Sequence, residues 1–410
     1  MKSLLSALIA CLVVPQAVCA AQTSASSKAD QTAVVEGNNA FALELYGQLR
    51  NQNGNLFFSP ESISTALAMT YAGARGDTAS EMAKTLHFTL PPERLHPAMG
   101  ALLRNLNAAH NGYQLRVANA LWAQQDYVFL DDFLKLTKSD YGAGFNQVDF
   151  KGATEASRLT INEWIEKKTE NKIKDLLRPG ILDSSTKMVL TNAIYFKGDW
   201  QTPFRKALTQ DEYFYLSPSR DIKAPLMHAN AGFNYLDGET FQVLEIPYKS
   251  GDLSMIVFLP RDIDGLRALE ETMTAPHMKQ WLDRLKWAPE VIVTLPKFQM
   301  TQQITLQETL GAMGMPSAFV AGAADFSGMT GNRELSISAV IHKAFIDVDE
   351  KGTEAAAATA VVLDKATAMP PRFQPPPPPV FRADHPFVFL IRDNRSGGIL
   401  FMGRVTDPTK

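Results

Sequence analysis

Ala344-Phe345-Ile346-Asp347-Val348-Asp349-Glu350-Lys351-Gly352-Thr353-Glu354-Ala355-Ala356-Ala357-Ala358-Thr359 is the stretch on which the reading of this chain turns. It opens as the end of a run, Leu335–Val348, rich in the β-branched and aromatic residues that fill strands. Gly352 then frees the backbone. Counting by twos, Thr353, Ala355, Ala357, Thr359, Val361 and Leu363 are all small or apolar. The alternate set Glu354, Ala356, Ala358, Ala360, Val362 and Asp364 carries the acids. That is the alternation of a half-buried strand. No proline occurs from Glu350 to Met369, so every residue keeps its ladder donor. Twelve such residues would span about 40 Å at ~3.3 Å each. Beyond them come Pro370-Pro371 and then five prolines at 375–379, which favour a stiff polyproline II spacer. More than thirty residues therefore separate two strands, and loops that long are functional or disordered. The residues alone leave two readings open. One is a strand held in reserve; the other is an Ala-rich loop with a short helix, which Ala356–Ala358 permits.

Outward from this loop the second half of the chain favours strands. Met188–Phe196, Phe241–Tyr248, Leu253–Leu259, Val291–Met300, Pro386–Arg392 and Ile399–Val405 have strand composition, and Lys249-Ser250-Gly251-Asp252 reads as a hairpin turn. The first half reads as helices. Phe41, Leu45 and Leu49 share one face, and Ser59-Pro60 is an N-cap followed by proline at the first helical position. Further helical periods fall near 78–86, 93–108, 129–139 and 154–170. Length alone suggests two or three domains, but no Gly/Ser linker and no internal repeat divides the chain. The expectation is one large α+β domain over 36–410, preceded by a flexible, Ala/Ser/Thr/Gln-rich segment at 21–35.

The chain has 410 residues, with 40 Lys+Arg against 43 Asp+Glu, a balance that argues against a nucleic-acid partner. Residues 1–20 read as a secretory signal peptide: Lys2, an apolar stretch over Leu4–Val14, and Val18-Cys19-Ala20 before the cut. No later apolar run reaches membrane-spanning length. Both cysteines, Cys11 and Cys19, lie in that leader. The mature chain is thus expected in a secreted or periplasmic, oxidising compartment with no disulfide, thiol nucleophile or thiolate metal site.

A search for enzyme chemistry finds little. There is no G-x-S-x-G, H-E-x-x-H, P-loop or G-x-G-x-x-G motif, and the seven histidines lack metal-ligand spacing. No enzyme activity, metal or cofactor is expected. Across 85–110 the permanent cations are Arg94 and Arg104, with Lys84 just before, too few to support a polyanion cofactor.

The opening stretch resembles the hinge of the serpin reactive-centre loop. Ordered matches run from 36 to 408: Asn55-Leu56-Phe57-Phe58-Ser59-Pro60, Tyr71-Ala72-Gly73-Ala74-Arg75-Gly76, Ile161-Asn162-Glu163-Trp164, Leu190-Thr191-Asn192-Ala193-Ile194-Tyr195-Phe196-Lys197-Gly198-Asp199-Trp200, Leu295-Pro296-Lys297-Phe298 and Asp384-His385-Pro386-Phe387-Val388-Phe389. The tail Gly403-Arg404-Val405-Thr406-Asp407-Pro408 has a bacterial cast. The resemblance implies an α+β serpin fold of three β-sheets and eight to nine helices, with a reactive-centre loop exposed at about 350–380. It implies a monomeric suicide-substrate inhibitor of serine, in some members cysteine, proteases. The target cuts the loop, forms an acyl-enzyme, and is dragged as the loop enters the main sheet. A serpin-fold binding or structural protein is the alternative; such members often carry bulky or proline residues in the hinge.

Residue by residue, the resemblance makes Glu350, Gly352, Thr353, Glu354, Ala355, Ala356, Ala357 and Ala358 the hinge. Ser59, Ser62, Asn192 and His342 match the shutter, a polar cluster beneath the main sheet. Trp200 and Lys297 match the breach, where the loop first enters, and Lys297 is expected to pair with Glu350. For the reactive bond, counting fourteen on from Gly352 gives Ala366–Thr367, and counting back from Phe381 gives Arg372–Phe373. A cut at Arg372 would leave Pro370 and Pro371, which lack donors, on the inserting side. Ala366–Thr367 is therefore favoured, which suits an elastase- or subtilisin-like target. Lys365 and Arg372 are the trypsin-like alternatives.

Overall fold

The computed structural model describes residues 26–108, 112–142, 144–353 and 376–410. Its helices are α1 (Lys28–Leu49), α2 (Pro60–Tyr71), α3 (Gly76–Thr85), α4 (Pro92–Asn107), α5 (Asp131–Tyr141), α6 (Thr154–Lys168), α7 (Leu266–Thr272), α8 (Ala275–Asp283), α9 (Gln307–Met313) and α10 (Ser327–Thr330). Its strands are β1 (Leu56–Phe58), β2 (Tyr113–Gln124), β3 (Phe145–Val148), β4 (Met188–Asp199), β5 (Gln210–Ser217), β6 (Arg220–Asp237), β7 (Phe241–Pro247), β8 (Leu253–Pro260), β9 (Lys286–Pro296), β10 (Phe298–Thr305), β11 (Ala339–Val348), β12 (Gly352–Thr353), β13 (Val380–Arg382), β14 (Phe387–Asp393) and β15 (Ile399–Val405).

Backbone pairing gives two sheets among the described residues, where three were expected. One has six strands in the order β10-β11-β12-β4-β2-β3; the other has nine, β1-β15-β14-β8-β7-β6-β9-β13 with β5 on β6. The physical reason is β6. Its start pairs with β5, Leu226–Tyr235 with β9 and its last residues, Asn234–Asp237, with β7, so one long strand joins what would otherwise be two sheets. A bulge between Ala231 and Phe233 bends it at the junction. The ten helices among the described residues exceed the eight or nine expected because short ones are among them, α10 of four residues and α7 and α9 of seven.

Two other expectations are corrected. The segment expected to be flexible is helical from Lys28. Ser27 caps the helix by accepting from the Asp30 N–H at 3.1 Å, Asp30 pairs with Arg94 of α4, and Val34 and Val35 are buried. The run Val291–Met300 is not one strand. It breaks at Lys297 and sends β9 and β10 to different sheets.

The middle of the six-stranded sheet, β4 and β11, is largely buried on both faces. Phe196, Ile194, Ile346 and Ala344 face the nine-stranded sheet, while Val189, Ala193, Ala339 and Ile341 pack under α6 with Ile161 and Ile165. In the middle of this sheet β4 and β11 run parallel, from Val189↔Ala339 to Tyr195↔Phe345. Above that they part, and β12 lies between them, antiparallel to both: Thr353↔Val348 on one side and Thr353↔Gly198 on the other. A parallel pair is slightly weaker per residue than an antiparallel one. Amide hydrogen exchange should therefore be faster for β4 and β11 amides bonded across this seam than for β4 amides bonded to β2. Equal protection on the two sides would show that the seam is no line of weakness.

Candidate functional site

The open upper end of the seam is built around the turn Asp349–Gly352. The Asp349 carboxylate accepts from the N–H groups of Lys351 (2.8 Å) and Gly352 (3.2 Å), folding the chain back toward β4. Gly352 is required by close approach, since a Cβ there would stand 2.0 Å from the Gly198 carbonyl oxygen. Trp200 holds the turn from below. Its indole N–H donates to the Asp349 carbonyl at 3.0 Å and its backbone N–H to that of Lys351 at 2.7 Å. The indole stacks on Tyr248 at 4.6 Å between ring centroids.

Lys297 stands at the corner between β9 and β10, and its ammonium reaches the Glu350 carboxylate at 2.9 Å. Thr209 donates to the other carboxylate oxygen at 2.8 Å. Burial pushes the Glu350 carboxyl up, but these hydrogen bonds outweigh it and hold the group below the usual carboxylate range. Thr353 is fully buried, and its hydroxyl lies 2.9 Å from that of Tyr248. Trp200, Lys297, Glu350, Gly352 and Thr353 thus meet at one place.

Lower down, the closed part of the seam covers a polar cluster. Register places His342 of β11 opposite Asn192 of β4, and Asn192 opposite Asn119 of β2. α2 delivers Ser59, its N-cap, and Ser62. The Ser59 N–H donates to His342 Nε2 at 3.1 Å, so Nδ1 carries the proton and donates to the Asn192 side-chain oxygen. Asn192 Nδ2 donates to Ser62 Oγ at 2.6 Å and to Asn119 Oδ1. Ser62 Oγ donates to Asn119 Oδ1 at 2.9 Å, and Asn119 Nδ2 donates to the Ser62 carbonyl at 3.0 Å. Ser59 Oγ accepts from the Ser62 N–H and donates to the Leu400 carbonyl at 2.6 Å. Every buried polar group at this site has a partner, as burial demands. With no charge nearby to offset it, burial pulls the imidazole down to about 3, so His342 is neutral at physiological pH.

The four residues expected at the shutter therefore come together. Asn119, Tyr248 and Thr209 were missed. Only the β2–β4 register could have found Asn119, and the strand signal of β2 is weak. Glu354, Ala355, Ala356, Ala357, Ala358, Lys365, Ala366, Thr367 and Arg372 lie outside the described residues, as does the leader. No cluster of metal ligands occurs among the described residues, and no helix there is long and apolar enough to cross a membrane.

Two sheets, a split parallel pair and an antiparallel wedge define the class, and comparison with known proteins agrees. The family model described as "Serpin (serine protease inhibitor)" matches residues 36–408, and the chain belongs to the serpin family. It is 41% identical to the human leukocyte elastase inhibitor over 381 residues, covering 90% of this chain and 98% of that protein. It is 40% identical to human serpin B3 over 91% of this chain and 99% of that one. Among solved structures it resembles serpin48 of the insect Tenebrio molitor (TM-score 0.81, 33% identity, 91% and 98% covered) and uncleaved ovalbumin (0.82, 29%, 92% and 100%).

The neutral His342 generates a pH prediction. An unfolded histidine titrates near 6.5 and this one near 3, so the unfolded state binds more protons between those values. Its contribution to stability is present above pH 6.5 and lost as pH falls, at up to about 1.4 kcal/mol per unit. Gln at this position can accept from Ser59 and donate to Asn192 without titrating. Denaturant unfolding of the intact protein from pH 7 to 4 should show His342→Gln losing less stability than wild type; parallel curves would refute the assignment.

Proposed function

We propose that the protein inhibits serine endopeptidases as a suicide substrate, by inserting its cut loop between β4 and β11. The observation that carries the reading is the wedge: Thr353 already holds the first position, bonded to both strands. The names of the leukocyte elastase inhibitors support inhibition over a purely binding or structural role. The protein supplies no catalytic residue; the nucleophile belongs to the target.

Continuing the register, Ala355 would stand between Phe196 and Ile346, Ala357 between Ile194 and Ala344, and Val361 between Leu190 and Val340. All fall on the core face. Thr359 would fall between Asn192 and His342, parting the bond that closes the seam. In this reading the four cluster residues are the shutter and Trp200, Lys297 and Glu350 the breach. β4 begins at Met188, the register partner of Leu363. The sheet can thus accept the loop through Leu363, a few residues before Ala366 and well short of Arg372. This supports Ala366–Thr367 as the reactive bond and an elastase- or subtilisin-like target, with Lys365 and Arg372 as the trypsin-like alternatives.

Export also belongs to this proposal. The support is the sequence of residues 1–20, Lys2 followed by an apolar stretch and Val18-Cys19-Ala20, which we read as a leader removed from a secreted or periplasmic, monomeric protein. The bacterial assignment rests on the tail sequence alone.

Incubation with pancreatic elastase, subtilisin and trypsin should give a complex that survives denaturing electrophoresis with elastase or subtilisin. Mass spectrometry of the released C-terminal fragment should place its first residue at Thr367. Absence of any covalent complex would sink inhibition, and a fragment starting at Phe373 would move the bond to Arg372.

A second outcome tests insertion. Once cut in the loop, the wild type should unfold at a much higher temperature than the intact form. Thr353→Arg forces a charge against the buried Tyr248 hydroxyl, a costly burial. That variant should still be cut, yet gain little thermal stability and form less covalent complex. An unchanged ratio of inhibitor consumed per protease would refute the register.

A further inference from the structure

A cavity of about 340 Å³ opens between α1, α4 and the turn joining β14 to β15, away from the seam's upper end. Val35, Leu102, Leu106 and Leu400 form an apolar wall, and Glu61 lines the cavity from the first turn of α2. This is the size of a small-molecule site, and its lining is mixed, an aliphatic wall facing polar and charged side chains.

Glu61 is the odd member. It is 8% exposed, yet no cation pairs with it among the described residues. Oε2 accepts from Asn38 Nδ2 at 2.6 Å, and Oε1 only from a distant Thr65 hydroxyl at 3.5 Å. Asp393, also lining the cavity, is compensated by Arg395 at 3.0 Å and by the Ser396 hydroxyl at 3.0 Å. A buried carboxylate without a counter-charge is costly. Desolvation accordingly pushes the Glu61 carboxyl up to about 7.

We infer that this cavity binds a small organic monocation with an apolar body, its ammonium group set against Glu61. The ammonium supplies the missing counter-charge, and an aryl or alkyl body covers the leucine and valine wall. Lys28 and Arg395 also line the cavity, so a second positive charge on the ligand would be repelled. The site touches the machinery described above. Glu61, Leu106 and Leu400 also line a small void against Ser59 and Ser62, so an occupant braces the turn of α2 that carries the polar cluster. The inference stands whether or not the loop inserts.

Isothermal titration of the full chain at pH 8 with phenethylamine, against its neutral isostere phenethyl alcohol, tests it. The amine should bind one site at least tenfold more tightly than the alcohol. Glu61→Gln, which can keep the Asn38 hydrogen bond, should reduce the amine to the level of the alcohol. Leu102→Trp, which fills the cavity and leaves Glu61 in place, should abolish binding of both. Equal affinity for amine and alcohol, amine binding unchanged in either variant, or no heat with 10 mM amine would each overturn the assignment.

Discussion

The parallel ladder between β4 and β11 is the constraint on which the rest of this molecule depends. Everything around it favours its replacement. The two strands already diverge above Tyr195 and Phe345, and a two-residue strand already fills the gap in antiparallel register. A longer antiparallel strand would trade one parallel ladder for two antiparallel ones while covering more apolar surface. What opposes the trade in the intact chain is covalent continuity. β12 belongs to the six-stranded sheet and β13, on the far side of the loop, to the nine-stranded one. β13 is short, but Arg382 anchors it through a 2.6 Å ion pair to Glu212 of β5. A loop tied at both ends cannot lie down in the seam; one cut in the middle can.

The polar cluster sets how the seam opens. An apolar seam could slide apart at the cost of a transient void. Here each strand carries an amide or imidazole whose partner sits on the other, so parting them strands buried donors and acceptors, a penalty of about 1–3 kcal/mol for each group left unmatched. The penalty is met only while the seam is open and unfilled. A strand whose residue at that level carries a hydroxyl can satisfy what it separates, and in the inserted register proposed above that residue would be Thr359. Closure in the intact state and acceptance of the right strand thus rest on the same side chains.

Much of this was legible in the chain itself, for identifiable reasons. Around the hinge, the turn at Gly352 and the strand before it were legible because a glycine and a β-branched run are local signals, while the assignment of the hinge itself came from the family resemblance. Local signals also made β7, β8, β14 and β15 legible, since their β-branched and aromatic content is dense. β2 escaped notice, although it is central, because Ala118, Asn119 and Ala120 carry little strand signal and owe their state to neighbours on both sides. Asn119 was missed with it. The start of α1 was misread because its polar residues are satisfied at a distance, Asp30 by Arg94 of α4. The break at Lys297 was invisible because β-propensity does not report which sheet a residue joins. The pairing of Lys297 with Glu350, by contrast, followed from the family resemblance and not from composition.

The first turn of α2 carries a final balance. Ser59 ties it to a histidine that burial keeps neutral, and Glu61 on the same turn is a carboxyl that burial also drives toward neutrality. Their effects on stability have opposite signs. Lowering the pH from 6.5 protonates unfolded but not folded His342 and favours unfolding. Over 4.5–6.5 the folded protein holds the Glu61 proton that the unfolded chain releases, so acidification favours folding. Within that window the two slopes oppose each other, and the region under the seam is buffered against acidity although both groups are deeply buried. Above it only Glu61 still titrates, and its ionisation leaves a bare carboxylate beside the helix that locks the seam. A cation bound there would remove that cost without touching the strands, which makes the α1–α4 cavity a place from which the intact state can be stabilised at a distance from the loop.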